Sequence, residues 1–341
     1  MSRVVWLTLA AVLFLPTLFG SWTALLSAAF LCEFLSNGQW RPLSALTPDA
    51  EVRRLPVGSP GHEIPADLYT RASVLRPVAL VLVHGLSPRG KDDPRLRSAA
   101  SLLARAGWAV AVPTVEGLTV LRLRPGDANA VEQTVSALRE ARYGRVAILA
   151  ISVGAGPALL AAAQPSIAES LSAVLALGGY ASAIELLRFT LTGSYRFDGA
   201  MGQRPVNEAA IAQFVRANGE LLDARARRLV ENREPAAFDD LARALPSDTR
   251  RLLIELSPSA SVAGLRAPLF LIHGKDDPAV PYTESLRLDR AARDARRPVT
   301  TTIIGSISHV EPSERAGPID LARLAATFYA FAVVTSAGQA P

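Results

Sequence analysis

This sequence of 341 residues has one cysteine and four histidines, and the scarcity of both residue types excludes certain kinds of site. The single cysteine, Cys32, excludes an intramolecular disulfide and a cysteine-rich zinc site. The four histidines lack metal-ligand spacing, so we expect no metal centre. Because half of the residues are hydrophobic and only 20% are charged, the chain is neither disordered nor a coiled coil.

Lysine is also rare, since Lys91 and Lys275 are the only lysines among 36 basic residues. The net charge is +5, but the arginines are spread among 31 acidic residues. No nucleic-acid recognition motif accompanies them. We therefore expect no nucleic acid among the partners of this protein.

Charge is nearly absent from Val4 to Leu35, where Glu33 is the one charged residue. As a helix, this run would span about 48 Å, against a hydrocarbon core of about 30 Å. Pro16 and Gly20 interrupt it, which favours either one long kinked or tilted anchor or a tight hairpin of two short segments. The run predicts a membrane-anchored protein and leaves open which side of the membrane the rest of the chain occupies.

Two other interpretations of this apolar run stay open. A signal peptide cut near Ser27-Ala28-Ala29 would make the protein secreted or periplasmic, although the run is longer than a typical signal core. A third interpretation is a helix buried in the protein core.

Strand and helix patterns alternate beyond residue 50. Continuous apolar runs such as VALVLV (78–83) and RVAILAI (145–151) are typical of strands buried on both faces. Their alternation with helical segments predicts an α/β fold with a mostly parallel sheet and helices on both faces. EVRRLPV (51–57) and HEIPADLY (62–69) predict an antiparallel hairpin at the sheet edge.

The alternation stops in a mostly helical stretch, which we interpret as an insertion that caps the sheet. The predicted organisation is a membrane or signal segment (1–38), a linker (39–50), the first part of the core (51–180), the helical insertion (181–266) and the second part of the core (267–341).

The first candidate catalytic residue is Ser152, which follows a buried strand and precedes a helix of small residues. The segment 150–154, AISVG, matches the G-x-S-x-G nucleophile elbow, with Ala150 where the motif has glycine. Small residues are needed two positions on either side because the serine lies on a tight, strained turn. The helix N-terminus would favour developing negative charge there. The alternative is an ordinary strand–helix turn with a capping serine.

Two further candidates follow later predicted strands. Asp277, or its neighbour Asp276, comes after one strand, and His309 lies in the loop after the last strand. Because the carboxyl ends of parallel strands share one edge, we expect Ser152, Asp277 and His309 to converge there. The order serine, acid, histidine is the order that nucleophile-elbow proteins use. Taken singly, the acid would be a turn residue and the histidine a solvated loop residue.

From about Glu51 to Val334, the sequence resembles the α/β-hydrolase superfamily, and its layout looks like that of dienelactone-hydrolase-like and peptidase-like serine esterases. The resemblance implies that Ser152 is the nucleophile and His309 the base. It also implies that Asp277 is the acid, since residues 274–281 match the family's G-x-x-D-x-x-V-P pattern.

The resemblance further implies an oxyanion hole formed by two backbone N–H groups. Leu86 would supply one, because it follows the His-Gly pair after the third strand, and Val153 would supply the other. His273, at the end of a later strand, is expected to be structural. The expected supporting residues are His84, Gly85 and Gly154.

The implied activity is hydrolysis of carboxylic esters through a Ser-His-Asp triad and an acyl-enzyme intermediate, without a cofactor. A small-molecule or lipid-like ester is the expected substrate, because a membrane anchor would place the site near hydrophobic acyl groups. A peptidase or thioesterase of the same fold is the alternative within the enzyme class. A non-catalytic binding protein with a hydrolase fold is the alternative outside it, and the oligomeric state is left open.

Overall fold

A computed structural model describes residues 22–72, 74, 77–305, 307–308, 311–312 and 317–337. Eight strands in this part of the chain form one sheet. The strands are β1 (Glu51–Arg54), β2 (Ala66–Thr70), β3 (Val78–Val83), β4 (Trp108–Pro113), β5 (Val146–Ile151), β6 (Leu171–Leu177), β7 (Leu269–Gly274) and β8 (Val299–Ile304).

The strand order is β1-β2-β4-β3-β5-β6-β7-β8. β1 pairs antiparallel with β2, and β2 pairs antiparallel with β4. All other neighbours in this sheet are parallel, as the alternating pattern predicts. The carboxyl ends of β3 to β8 therefore share one edge, here called the carboxyl edge, and β5 ends near its middle.

Helices fill the connections between the strands and occupy both chain ends of the described part. They are α1 (Trp22–Leu35), α2 (Pro42–Leu46), α3 (Pro94–Arg105), α4 (Glu116–Thr119), α5 (Ala128–Glu140), α6 (Ala155–Ala162), α7 (Pro165–Ala168), α8 (Ala183–Thr192), α9 (Glu208–Asn218), α10 (Ala224–Glu231), α11 (Pro235–Arg243), α12 (Ser247–Glu255), α13 (Thr283–Asp294) and α14 (Pro318–Ala337).

Both faces of the sheet are covered, which explains why its central strands are apolar throughout. In β3, Leu80 and Leu82 pack into one core with α1, α2, α3 and α14. Val81 and Val83 alternate with them and pack into the other core with α5, α6, α7 and α13. This period of two places every second side chain on each face.

Helix α1 corrects the prediction of a membrane segment over residues 4–35. Residues 22–35 lie within the fold, where Phe30 stacks on Phe328 of α14 with ring centroids 4.8 Å apart. Cys32 is fully buried, and the Glu33 carboxylate accepts hydrogen bonds from the Ser44 N–H and hydroxyl. Residues 22–35 therefore form a core helix. The sequence pattern suggested a membrane helix because a protein interior and a lipid interior favour the same apolar side chains. The remaining part, 4–21, lies outside the described residues.

Among the described residues, one helix is long and apolar enough to cross a membrane, over Pro318–Ser336 of α14. It is a weak candidate, since one side of it packs on the sheet. Phe331 is fully buried and meets Phe270 of β7 edge-on at 5.7 Å. Ile319 and Val333 are exposed on its other side.

The segment between β6 and β7 carries helices α8 to α12 and has an apolar cluster of its own. It also contains a two-stranded antiparallel hairpin, Ser194–Phe197 with Ala200–Gln203, that the sequence analysis did not predict. Asp198 and Gly199 form its turn, both with positive φ. The buried members of the cluster are Leu191, Ile211, Ala226, Leu229, Val230, Phe238 and Leu245.

Candidate active site

Ser152 lies at the point where β5 ends and a single 3₁₀ turn leads into α6. Its φ is +56°, in the left-handed region that non-glycine residues rarely occupy. The residue before it, Ile151, is extended, so the backbone turns sharply at the serine. Such local strain is kept where the surrounding structure holds it, which is typical of functional turns.

The small residues around Ser152 are required by the loop that follows β3. A Cβ on Gly154 would lie 2.1 Å from the carbonyl oxygen of His84, so no side chain fits there. A Cβ on Gly85 would lie 3.1 Å from the Cβ of Ser152, which shows how closely this loop approaches the serine. Ala150, in β5 between β3 and β6, is fully buried, and its methyl group is accommodated in the core on one face of the sheet.

His84 holds the loop after β3 in place. Its Nε2 accepts a hydrogen bond from the Val115 N–H at 3.0 Å, so Nδ1 carries the proton and donates to the Gly85 carbonyl at 2.7 Å. Burial lowers the pKa of His84, which keeps the imidazole neutral near pH 7. The imidazole therefore braces the backbone beside Ser152.

The next turn of the same loop is fixed as well. The Ser87 N–H donates to the Leu118 carbonyl at 3.2 Å, and the Ser87 hydroxyl donates to Asp93 at 2.8 Å. Leu86 therefore lies between two anchored residues, with its side chain 47% exposed. Val153, on the other side of the serine, is buried. The role of Leu86 and Val153 as oxyanion donors stays a prediction.

The two candidate acids have different environments. Asp277 is 1% exposed, and its Oδ1 accepts hydrogen bonds from the Ala279 and Val280 N–H groups at 2.8 and 2.9 Å. Asp276 is about half exposed, and its carboxylate pairs with Arg204 at 2.6 Å. Only Asp277 is thus held inside the protein at the end of β7.

His273, near the end of β7, fixes the loop that carries Asp277. Its Nε2 donates to the Val280 carbonyl at 2.9 Å, so Nδ1 accepts a hydrogen bond from the Ser285 hydroxyl at 2.7 Å. Nε2 also lies 3.5 Å from Oδ2 of Asp277. His273 therefore acts inside the loop, in the structural role that the sequence predicts.

His309 lies outside the described residues, so its distance from Ser152 stays a prediction. The chain on either side of it is described as two short antiparallel strands, Ile307–Ser308 and Glu311–Pro312. The first of these passes within 8 Å, Cα to Cα, of β7. The backbone leading to His309 is therefore close to the strand that ends at the Asp277 loop.

The insertion contacts loops on both sides of β5. Arg204 binds Asp276 in the loop after β7, and the Asn218 amide donates to the Leu121 carbonyl, in the segment after β4, at 3.4 Å. In the sheet, β5 lies between β4 and β7. The insertion is thus attached at two points of the carboxyl edge, with the end of β5 between them.

A buried acid that the sequence pattern did not reveal secures the start of the insertion. Glu284, in the first turn of α13, is 1% exposed and accepts hydrogen bonds from the Ala181 and Ser182 N–H groups at 3.0 and 2.8 Å. Burial raises the pKa of Glu284. An acid in the first turn of an amphipathic helix is usually exposed and interacts favourably with the helix dipole. The sequence pattern around Glu284 therefore does not indicate that its carboxyl group is buried.

No family model and no curated protein matches the sequence. Solved structures match its fold. The acylaminoacyl peptidase of Pyrococcus horikoshii is 18% identical, with a TM-score of 0.57 over 83% of this chain and 41% of that chain. A puromycin-hydrolysing peptidase of Mycobacterium tuberculosis is 18% identical, with a TM-score of 0.53 over 83% of this chain and 38% of that chain.

A dienelactone hydrolase of Anabaena variabilis is 16% identical, with a TM-score of 0.48 over 83% of this chain and 98% of that chain. The present chain matches only about two fifths of the length of the two peptidases. At these identities the likeness concerns the fold. Together with the strand order and the turn at Ser152, the likeness to the two peptidases shows that this chain has the α/β-hydrolase fold.

Proposed function

We propose that this protein is a serine hydrolase that cleaves carboxylic esters, with Ser152 as nucleophile. The observation that carries the proposal is the left-handed backbone of Ser152 at the end of β5, in contact with the glycine loop after β3. An ordinary capping serine needs no positive φ, since N-cap residues are normally extended.

The proposed triad is Ser152, Asp277 and His309. The buried position of Asp277 supports its role over that of Asp276, whose carboxylate pairs with Arg204. Two backbone N–H groups bind Oδ1 of Asp277 and fix the orientation of its carboxylate, as a group that orients an imidazole requires. His273 lies 3.5 Å from Oδ2 of that carboxylate, but its Nε2 proton goes to the Val280 carbonyl.

In the proposed mechanism, the Ser152 hydroxyl attacks the ester carbonyl carbon while His309 accepts its proton. Asp277 holds the imidazole tautomer and stabilises the imidazolium. The Leu86 and Val153 N–H groups would stabilise the oxyanion, each contributing about 3–4 kcal/mol. His309 then gives the proton to the leaving alcohol. Water repeats the sequence on the acyl-enzyme, which releases the acid and restores Ser152.

Peptide cleavage is the second candidate, and a specific observation favours it. The two similar structures with TM-scores above 0.5 cited above are named as peptidases. A peptide bond would pass through the same acyl-enzyme, with an amine as leaving group, and a thioester would leave a thiol. A non-catalytic binding protein of this fold is the remaining alternative.

Membrane anchoring is proposed for residues 4–21 alone, because residues 22–35 belong to the core. This shorter stretch is uncharged and would span about 27 Å as a helix, close to the hydrocarbon thickness of about 30 Å. An anchor of this kind would bring a lipid-like ester to the site.

A fluorophosphonate probe tests the proposal on the full chain. We expect the wild type to be labelled at Ser152 and Ser152→Ala to be unlabelled. Ser166→Ala, at an exposed serine, is the matched control and should be labelled like the wild type. p-Nitrophenyl esters of increasing chain length and an aminoacyl p-nitroanilide then separate esterase from peptidase. Absence of labelling and of turnover on every substrate would favour the binding protein.

A further inference from the structure

The loop that carries Asp277 is held by the insertion at the residues directly before the acid. Nη2 of Arg204 lies 2.6 Å from Oδ1 of Asp276 and donates to the Lys275 carbonyl at 3.2 Å. The Lys275 N–H in turn donates to the carbonyl of Ile304, at the end of β8, at 2.7 Å. One guanidinium of the insertion therefore binds the two loop residues that lead into Asp277.

Arg204 is itself held in a fixed position. It directly follows the second strand of the insertion hairpin, and its N–H donates to the Gly193 carbonyl at 2.9 Å. Gly193 has a φ of +68°, and a Cβ there would lie 1.9 Å from the Arg204 carbonyl oxygen. The backbone of Arg204 is thus packed against a residue that must be glycine, so the arginine reaches the loop from a rigid base.

The hairpin before Arg204 packs on the helix that follows the acid loop. Tyr195 meets Tyr282, the residue before α13, edge-on at 5.8 Å, and the Arg287 guanidinium stacks over Phe197 at 4.4 Å. Asp198, in the hairpin turn, pairs with Arg290 of α13 at 2.7 Å. The insertion and the acid loop are therefore one contiguous unit on this side of the carboxyl edge.

We propose that Arg204 is a positioning residue, which sets the place of Asp277 by binding Asp276 and Lys275. Through it, the seating of the insertion determines whether the acid is correctly placed. The proposal rests on the proposed serine hydrolase function. It also assigns a role to the exposed Asp276, which the triad does not use.

The test compares Arg204→Ala, Arg204→Lys and Asp276→Asn with Arg290→Ala, which removes another ion pair of the same hairpin without touching the acid loop. For each full-length variant, the rate of fluorophosphonate labelling of Ser152 is measured against probe concentration, together with the melting temperature. The limiting rate reports on the reacting groups, and the half-saturating concentration reports on probe binding.

We expect Arg204→Ala and Asp276→Asn to lower the limiting labelling rate about tenfold or more, because small displacements of catalytic groups have large effects on rate. The half-saturating concentration should stay within about threefold of the wild-type value, as expected of a change in positioning. Arg204→Lys, which keeps a cationic donor, should recover most of the rate, and Arg290→Ala should match the wild type.

Equal limiting rates for Arg204→Ala and Arg290→Ala would overturn the proposal, as would no recovery by lysine. If Arg204→Ala fails to fold, Asp276→Asn decides in the same way, because it changes an exposed side chain. Failure of the serine hydrolase function itself is distinguishable, since the wild type would then not be labelled at Ser152 at all.

Discussion

The faces of the sheet and its carboxyl edge are held by different interactions. On the faces, aliphatic and aromatic side chains pack densely, as Phe30 does between α1 and α14. At the edge, polar groups fix the backbone, with His84 bonded on both ring nitrogens and Asp277 bonded to two backbone N–H groups. We therefore expect mutations on the faces to change mainly the stability of the protein, and mutations at the carboxyl edge to change mainly the reactivity of Ser152.

The largest expected effect is the loss of stability when a helix that covers one face of the sheet is removed. Deleting residues 1–40 removes α1, including Leu26, Phe30, Leu31 and Leu35, which are all buried. At about 1.5–3 kcal/mol per buried side chain, the loss is about 6–12 kcal/mol, comparable with the total stability of a typical domain. We expect this deletion to abolish cooperative urea unfolding, followed by circular dichroism.

Deleting only residues 1–21 is the matched control for this experiment, because it leaves all of α1 in place. This shorter variant should keep a cooperative transition and fluorophosphonate labelling. If the longer deletion also unfolds cooperatively, α1 is not part of the core.

A smaller effect, but one on chemistry, is expected at Gly154. In Gly154→Ala, the new methyl group would overlap the carbonyl oxygen of His84, so the elbow or the loop after β3 must move. Overpacking of this kind costs about 1–3 kcal/mol. We expect the labelling rate of Ser152 to fall at least tenfold, measured on protein shown to be folded. Labelling at the wild-type rate would mean that the loop is not held against the serine.

The free energy of unfolding should depend on pH because of the buried imidazole of His84. Its folded-state pKa lies below the ordinary value of 6.5. As pH falls below about 6.5, the unfolded chain binds a proton that the folded protein does not, so the wild type loses stability. His84→Gln should lose less stability over this range. The check is the free energy of unfolding against pH, with the exposed His62→Gln as control. Parallel curves for the wild type and His84→Gln would contradict this assignment.

On the faces of the sheet, the sequence predicted the buried strands better than the helices that cover them. The buried strand β3 was located to the residue and β5 to within one residue, because continuous apolar runs of strand length are distinctive. Helix α1 was misjudged, since hydropathy alone does not separate a core helix from a membrane helix. The Asp198-Gly199 turn did carry a hairpin signal, as Asp-Gly is a favoured two-residue turn.

At the carboxyl edge, the sequence correctly placed Ser152 and the Asp276-Asp277 pair directly after buried strands, and their proposed roles stay predictions. It could not separate Asp277 from Asp276 on physical grounds, since that difference depends on burial and on Arg204, 72 positions earlier in the chain. The contact of Glu284 with Ser182 was equally unpredictable, because the two residues are 102 positions apart and the contact buries a carboxyl group that is usually exposed.

The smallest expected effect is at Ala150, where the sequence departs from the elbow motif. Ala150→Gly restores the motif, but Ala150 is fully buried in β5, opposite Val83 and Ala176, and its methyl group packs in the core on one face of the sheet. Glycine in a strand interior costs about 0.5–1 kcal/mol. We therefore expect a slightly lower melting temperature and a labelling rate within about twofold of the wild type. A labelling rate that rose tenfold would instead show that the methyl group restrains Ser152, so that a packing residue of the faces also limits the chemistry of the edge.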